Sequence, residues 1–302
     1  MNRQVMRLNK KLSRAYRDWV RDETSIEMFR DDPSDYLTKY LNRKEEPNLL
    51  GLRSDDALTW NLYSYFDKAL NEGYNSSEEF ILCARYAAAK VHFESAFVES
   101  GLRGHLLPAR AVFNLSLNIL AGWRNEADTI FKLLLRGLDT SLLGLRHNDQ
   151  HSAGSLYRHF WFLLILYSLF KETTLDTSPY SYPDEMSPYA AVLADWRTTD
   201  FNVVQSLVSK MADFHLSEAY VNRHDEIREF DDEERMLFPY EILSFLRLRE
   251  WLGLSNPVSF EHPLMNQPLA WLPQPAPLPN PGNNLLDQVI SKFKSEFPSS
   301  FI

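Results

Sequence analysis

The run from Leu237 to Pro281 constrains the fold more than any other part of the chain, because it joins a helix to a proline-studded yet apolar tail. The helix reads FPYEILSFLRLREWLGL. Pro239 sets φ at its first turn, Glu241 lies near the positive end of the helix dipole, and Gly253 supplies the stop, so the pattern predicts a capped amphipathic helix. Eight of the sixteen prolines then fall within the 25 residues from Pro257 to Pro281. A disordered linker is polar, whereas this segment carries Phe260, Leu264, Met265, Leu269, Trp271 and Leu272, which gain free energy only when buried. The expectation is a proline-rich extended C-terminal strap laid on a helical body.

The remaining sequence predicts an all-α fold, an antiparallel helical bundle or a solenoid-like helix stack. Ten glycines in 302 residues and few alternating Val/Ile/Thr runs argue against sheet domains. The chain is long enough for a large core, and it reads as one compact unit with an N-terminal helical part, residues 1–175, and a C-terminal helical part, residues 186–302, around a loop rich in Pro, Ser and Tyr. The lone Cys83 lies in an apolar stripe, which excludes an intrachain disulfide and fits a reducing cytoplasmic setting. The longest apolar run, Phe160 to Phe170, is about half of what a membrane-spanning helix needs, so it reads as a buried core helix. Arg3, Arg7, Lys10, Lys11, Arg14 and Arg17 superficially mimic a transit peptide. However, Val5, Leu8, Leu12, Tyr16 and Trp19 continue one helical face beyond them, so a helix with a basic solvated side is expected.

Further helices are signalled along the chain. Ser54 precedes a face of Leu58, Leu62, Tyr65, Phe66 and Ala69 ending near Gly73, and Ser76 with Glu79 has capping-box spacing. His105 to Leu120 and Trp123 to Leu145 read as a helical hairpin turning at Gly122, and Asp200 caps a helix that runs to Ala219. Leu285 to Phe293 marks a short terminal helix.

Catalytic signals are sparse. His147 and His151, with Asp149 between them and His159 eight residues on, have helical metal-ligand spacing, yet Asn148, Asp149 and Gly154 mark a loop there, and no HExxH or cysteine pair accompanies them. His224-Asp225, with His215 before it and Asp231 after it, is the one fragment compatible with a metal-dependent hydrolase. No phosphate loop, nucleophile elbow or dinucleotide fingerprint occurs. The expectation is a protein that is not an enzyme and needs neither cofactor nor metal.

Charge is distributed unevenly. Residues 1–150 hold 21 acids and 21 bases, whereas residues 151–302 hold 20 and 11, so the whole excess of nine negatives belongs to the second half. That balance disfavours nucleic acid and membrane surfaces and favours a basic protein partner. The strongest feature is DEIREFDDEER, seven acids and two arginines in eleven residues. As a surface it could be merely solvated, or it could steer a cationic partner into contact. Glu218, Asp225, Glu226, Glu229, Asp231, Asp232, Glu233 and Glu234 are the candidate contacts. The tryptophans at 19, 60, 123, 161, 196 and 251 fall on predicted helices or their caps and read as core.

The run FPYEILSFLRLREWLGLSNP, followed by EHPLM and QPLAWLP, resembles the C-terminal part of bacterial immunity proteins paired with polymorphic toxins, including type VI secretion effectors. The resemblance covers residues 200–281 and is carried by Pro239, Glu241, Gly253, Pro257, His262, Pro263 and Leu264. It implies an all-helical cytoplasmic protein without catalysis that binds and blocks a cognate toxin; the acidic run adds the expectation of a nuclease-type toxin, whose phosphate-gripping face is cationic, with the acidic face covering its active site or substrate groove. A helical-repeat interaction scaffold is the alternative from another class, and a homodimer is compatible with either.

Overall fold

Apolar faces spaced at 3.6 residues can be buried only against one another, and the chain folds as an all-α stack in which they are. The computed structural model describes residues 3–146, 156–220, 228–274 and 276–298. Helix α1 (Arg3–Trp19) is followed by the short α2 (Glu23–Ile26), α3 (Asp32–Leu41), α4 (Leu50–Asp67) and α5 (Ser77–Glu99). Then come α6 (Pro108–Leu120), α7 (Arg124–Gly137), α8 (Arg158–Phe170), α9 (Tyr189–Asp195), α10 (Phe201–Glu218), α11 (Tyr240–Trp251) and α12 (Asn284–Glu296). No strand occurs among the described residues beyond an isolated bridge between Arg146 and Tyr180. No helix among them is long and apolar enough to cross a membrane.

One continuous cluster of buried side chains runs from Val5 of α1 to Phe293 of α12. Helix α4 lies along α5, α6 packs on α5, α7 and α11, α8 packs on α6, α9 and α11, and α12 rests on α3. In α1 the predicted face is the buried one, with Val5, Leu8, Leu12 and Tyr16 inward. Asp200 caps α10 by accepting from the Asn202 amide at 2.8 Å.

Several boundaries differ from expectation. Ser54 lies buried inside α4 and does not cap it. Ser76 is the residue before α5, but its hydroxyl bonds the Glu79 carboxylate instead of a backbone amide, and Glu79 also pairs with Lys68. Helix α7 stops at Gly137. Leu138, Leu142, Leu143 and Leu145 remain buried in the turns after it, so their burial extended the apolar pattern past the helix end.

The largest difference concerns α11, which is no surface helix. Every residue from Tyr240 to Arg249 is buried, including Glu241, Arg247 and Arg249. Buried charge is tolerable only where hydrogen bonds replace water, and here they largely do, although Arg247 Nε and Glu241 Oε2 have no partner among the described residues. Arg249 donates to Trp196 O at 2.6 Å, Ser255 O at 3.0 Å and Asn256 Oδ1 at 2.9 Å. Arg247 reaches Leu120 O at 3.2 Å, Pro273 O and Glu250 Oε2 at 2.6 Å. Each arginine thereby ties α11 to distant backbone, and Arg247 holds the start of the proline tail.

The tail carries few N–H groups, because proline has none, so it is held largely through its carbonyls and apolar side chains. Leu264, Met265, Leu269 and Leu278 are buried. Leu278 bridges the α6–α7 turn by donating to Ala121 O at 2.8 Å and accepting from Trp123 Nε1 at 2.9 Å. Gly122, at φ 79°, sits beneath this contact, and a Cβ there would lie 2.8 Å from Pro277 Cα. Only glycine meets both requirements.

Candidate protein-binding face

The acidic segment is joined to the body by buried charge pairs. Glu229 is 2% exposed. Its Oε1 accepts from Arg158 Nε at 2.8 Å, and its Oε2 accepts from the His159 amide at 2.9 Å and lies 2.8 Å from His159 Nδ1. A carboxylate seventy positions along the chain thus serves the first turn of α8, which has no side-chain cap of its own. Burial pushes the Glu229 carboxyl up, but His159 and Arg158 outweigh it and hold the group below the ordinary glutamate range. A second buried pair is parallel to it: His215 Nδ1 lies 2.8 Å from Glu241 Oε1, and its Nε2 lies 3.2 Å from Met236 O. Phe230 packs between the two imidazoles, 4.0 Å from His215 and 5.0 Å from His159.

Farther along, Glu234 points inward to Arg110 and to Thr59 Oγ1 at 2.9 Å, and Arg110 also donates to Asp55 at 2.9 Å. Burial raises the Glu234 carboxyl against the pull of Arg110. Asp55 is held below its ordinary value because Arg110 and Lys90, the latter at 2.8 Å, outweigh its own desolvation.

The eight candidate carboxylates therefore separate. Glu229 and Glu234 face inward on internal cations. Glu218 is mostly covered and pairs with Arg228 at 3.4 Å. Asp231 and Asp232 pair with Arg235, and Glu233 with Lys11 at 3.8 Å; their side chains stay 33%, 44% and 35% exposed. Asp225 and Glu226 lie outside the described residues, as do His147, Asp149, His151 and His224. Among the described residues no group of three His, Cys, Asp or Glu has metal-binding geometry. Both ring nitrogens of His215, the one described histidine of the HD fragment, already have internal partners.

Beside Asp232 and Glu233 stands a feature that the sequence did not single out. Trp19 lies 4.3 Å from Tyr63, 5.1 Å from Phe29 and 5.7 Å from Trp60, and all four rings are only half-buried. Tyr16 connects this shelf to the acidic segment by stacking edge-on against Tyr63 at 5.1 Å and donating its hydroxyl to Glu233 O. Burial raises the Tyr63 phenol, and Glu234, Glu233 and Asp232 raise it further, which records how close these carboxylates stand. Trp19 and Trp60 were expected in the core. They sit at the outer edge of the α1–α4 contact, where no further element covers them completely.

The depressed carboxylates set an acid limit on folding. A group with a lowered folded-state pKa contributes stability above its unfolded value, and that stability is lost as pH falls through the folded value. Glu229 and Asp55 are such groups, so urea-unfolding stability is expected to fall steadily below about pH 4. Asp55→Asn should flatten that slope; an unchanged slope would remove Asp55 from the account.

No family model, curated protein or solved structure matches this chain.

Proposed function

We propose that this protein is a cytoplasmic immunity protein that binds and neutralises a cognate, basic-surfaced toxin of nuclease type, transforming no substrate of its own. The observation that carries the reading is the aromatic shelf of Trp19, Phe29, Trp60 and Tyr63 with Asp232 and Glu233 close to its Tyr63 end. Tryptophan and tyrosine are the side chains on which protein interfaces most often concentrate their affinity, and rim carboxylates steer a cationic partner. The internal ion pairs of Glu229 and Glu234 support the same reading, because they hold the segment in place before any partner arrives. A preformed face avoids the ordering entropy that a loose acidic loop would lose on binding. The resemblance of residues 200–281 to toxin-immunity proteins supplies the biological setting.

The test is co-expression with the product of the adjacent reading frame, which the proposal expects to be a toxin that arrests growth. Wild-type protein should restore growth. Trp19→Ala/Trp60→Ala should weaken binding by about 100-fold, the scale of two interface hot spots, and lose protection while circular dichroism stays native. Full protection by the double variant would exclude the shelf as the contact.

A further inference from the structure

A second site lies where α5, the start of α7, α12 and the proline tail meet. The cleft there has a volume of about 600 Å³, within the range of small-molecule sites, and shares no residue with the aromatic shelf. Its walls come from four segments of sequence. Arg85 and His92 project from α5, Arg124 and Glu126 from the first turn of α7, Asp287 and Lys294 from α12, and Asn280 from the tail. Three obligate cations thus face two carboxylates, on a molecule whose formal net charge is −9.

Two of these groups are organised by internal pairs: Arg85 by Asp287 and Asn280, and His92 by Glu126 at 2.7 Å. Arg124 is exposed and has no carboxylate partner among the described residues; its guanidinium rests over the Phe170 ring at 4.8 Å and the Trp251 ring at 6.0 Å. The state of Glu126 reports the local potential. Burial pushes its carboxyl up, yet His92, Lys294 and Arg85 outweigh burial and hold it below the ordinary range. The α7 dipole adds partial positive charge at the same place, because no side chain caps that helix start. Ala88, Ala89 and Ile290 supply an apolar floor, as a carbon skeleton would require.

We infer that this cleft binds a small organic anion, its phosphate or carboxylate held between Arg124 and Lys294 and its carbon body against Ala88, Ala89 and Ile290. Because one wall belongs to the tail, the ligand also holds the tail on the body. The Leu278 amide, bonded to Ala121 O at 2.8 Å, lies at that junction and reports its opening.

Inorganic phosphate and succinate are the probes, titrated calorimetrically into the full chain at low ionic strength. At least one should saturate a single site below about 10 mM, a weak affinity suited to a fragment of the true ligand. Hydrogen exchange at Leu278 should slow on saturation. Arg124→Glu/Lys294→Glu should weaken binding tenfold or more and remove the Leu278 effect. Arg124→Gln, a milder change at an exposed position, should give a smaller loss and keeps the test valid if the double variant misfolds. Saturation by neither anion overturns the inference, and so does binding that Arg124→Gln leaves unchanged. Both results are independent of toxin protection.

Discussion

Replacing Arg249 with alanine is expected to lower the free energy of unfolding by about 3–5 kcal/mol, the scale for removing one partner of a buried polar network. The side chain is inaccessible to solvent and pairs with no carboxylate among the described residues; its hydrogen bonds go to Trp196 O, Ser255 O and Asn256 Oδ1, with the guanidinium 5.6 Å from the Phe245 ring centre. Burial lowers its pKa, the sign of a cation kept in place by hydrogen bonds without a counter-charge. Alanine leaves the buried Trp196 O unpaired, frees the partly covered Ser255 O and Asn256 Oδ1, and opens a cavity beside Phe245. Arg249→Met restores volume but not donors and should recover only part of the loss. Lysine, with one compact ammonium, cannot span all three acceptors and should also fall short of wild type. Urea unfolding of the three variants measures this order, and wild-type stability in Arg249→Ala would contradict the assignment of α11 as the centre of the fold.

Glu229→Ala is expected to cost a similar amount, about 3–5 kcal/mol, for a different reason. One carboxylate serves the Arg158 guanidinium, the His159 ring and the His159 amide at the start of α8. Its removal leaves a buried imidazole whose Nε2 already has no partner among the described residues, and it uncaps α8. Glu229→Gln keeps an acceptor for the His159 amide but loses the charge, so it should lie between alanine and wild type. Because Glu229 also fixes the segment leading to Asp231–Glu233, the alanine variant should bind the proposed toxin more weakly even where it remains folded. Unfolding curves read the first effect and hydrogen exchange at the His159 amide reads the capping. Wild-type protection of that amide would show that α8 does not depend on Glu229.

Much of this architecture was legible because helical period and capping chemistry are local. The inward face of α1, the Asp200 cap and the Gly122 turn each depend on residues within a few positions of one another. The position of α11 was not legible. Glu241, Arg247 and Arg249 look like solvent charges until Trp196 O, Leu120 O and His215 are brought to them from far away in sequence. The same limit applies to the acidic run. Seven acids in eleven residues signal a charged surface, but the sequence does not reveal that Arg110 and Arg158 neutralise Glu234 and Glu229 from inside. Trp19 and Trp60 failed in the opposite direction, since an apolar stripe indicates which face turns inward but not where the neighbouring elements stop covering it.

The most direct measurement is a calorimetric titration of the purified protein with the product of the adjacent reading frame, where the proposal expects a toxin, at two ionic strengths. The account predicts a one-to-one complex with a Kd of about 10 nM or tighter at low salt, weakened by added salt as the rim carboxylates are screened and by about 100-fold in Trp19→Ala/Trp60→Ala. Absence of a complex, or a complex indifferent to both changes, would contradict it.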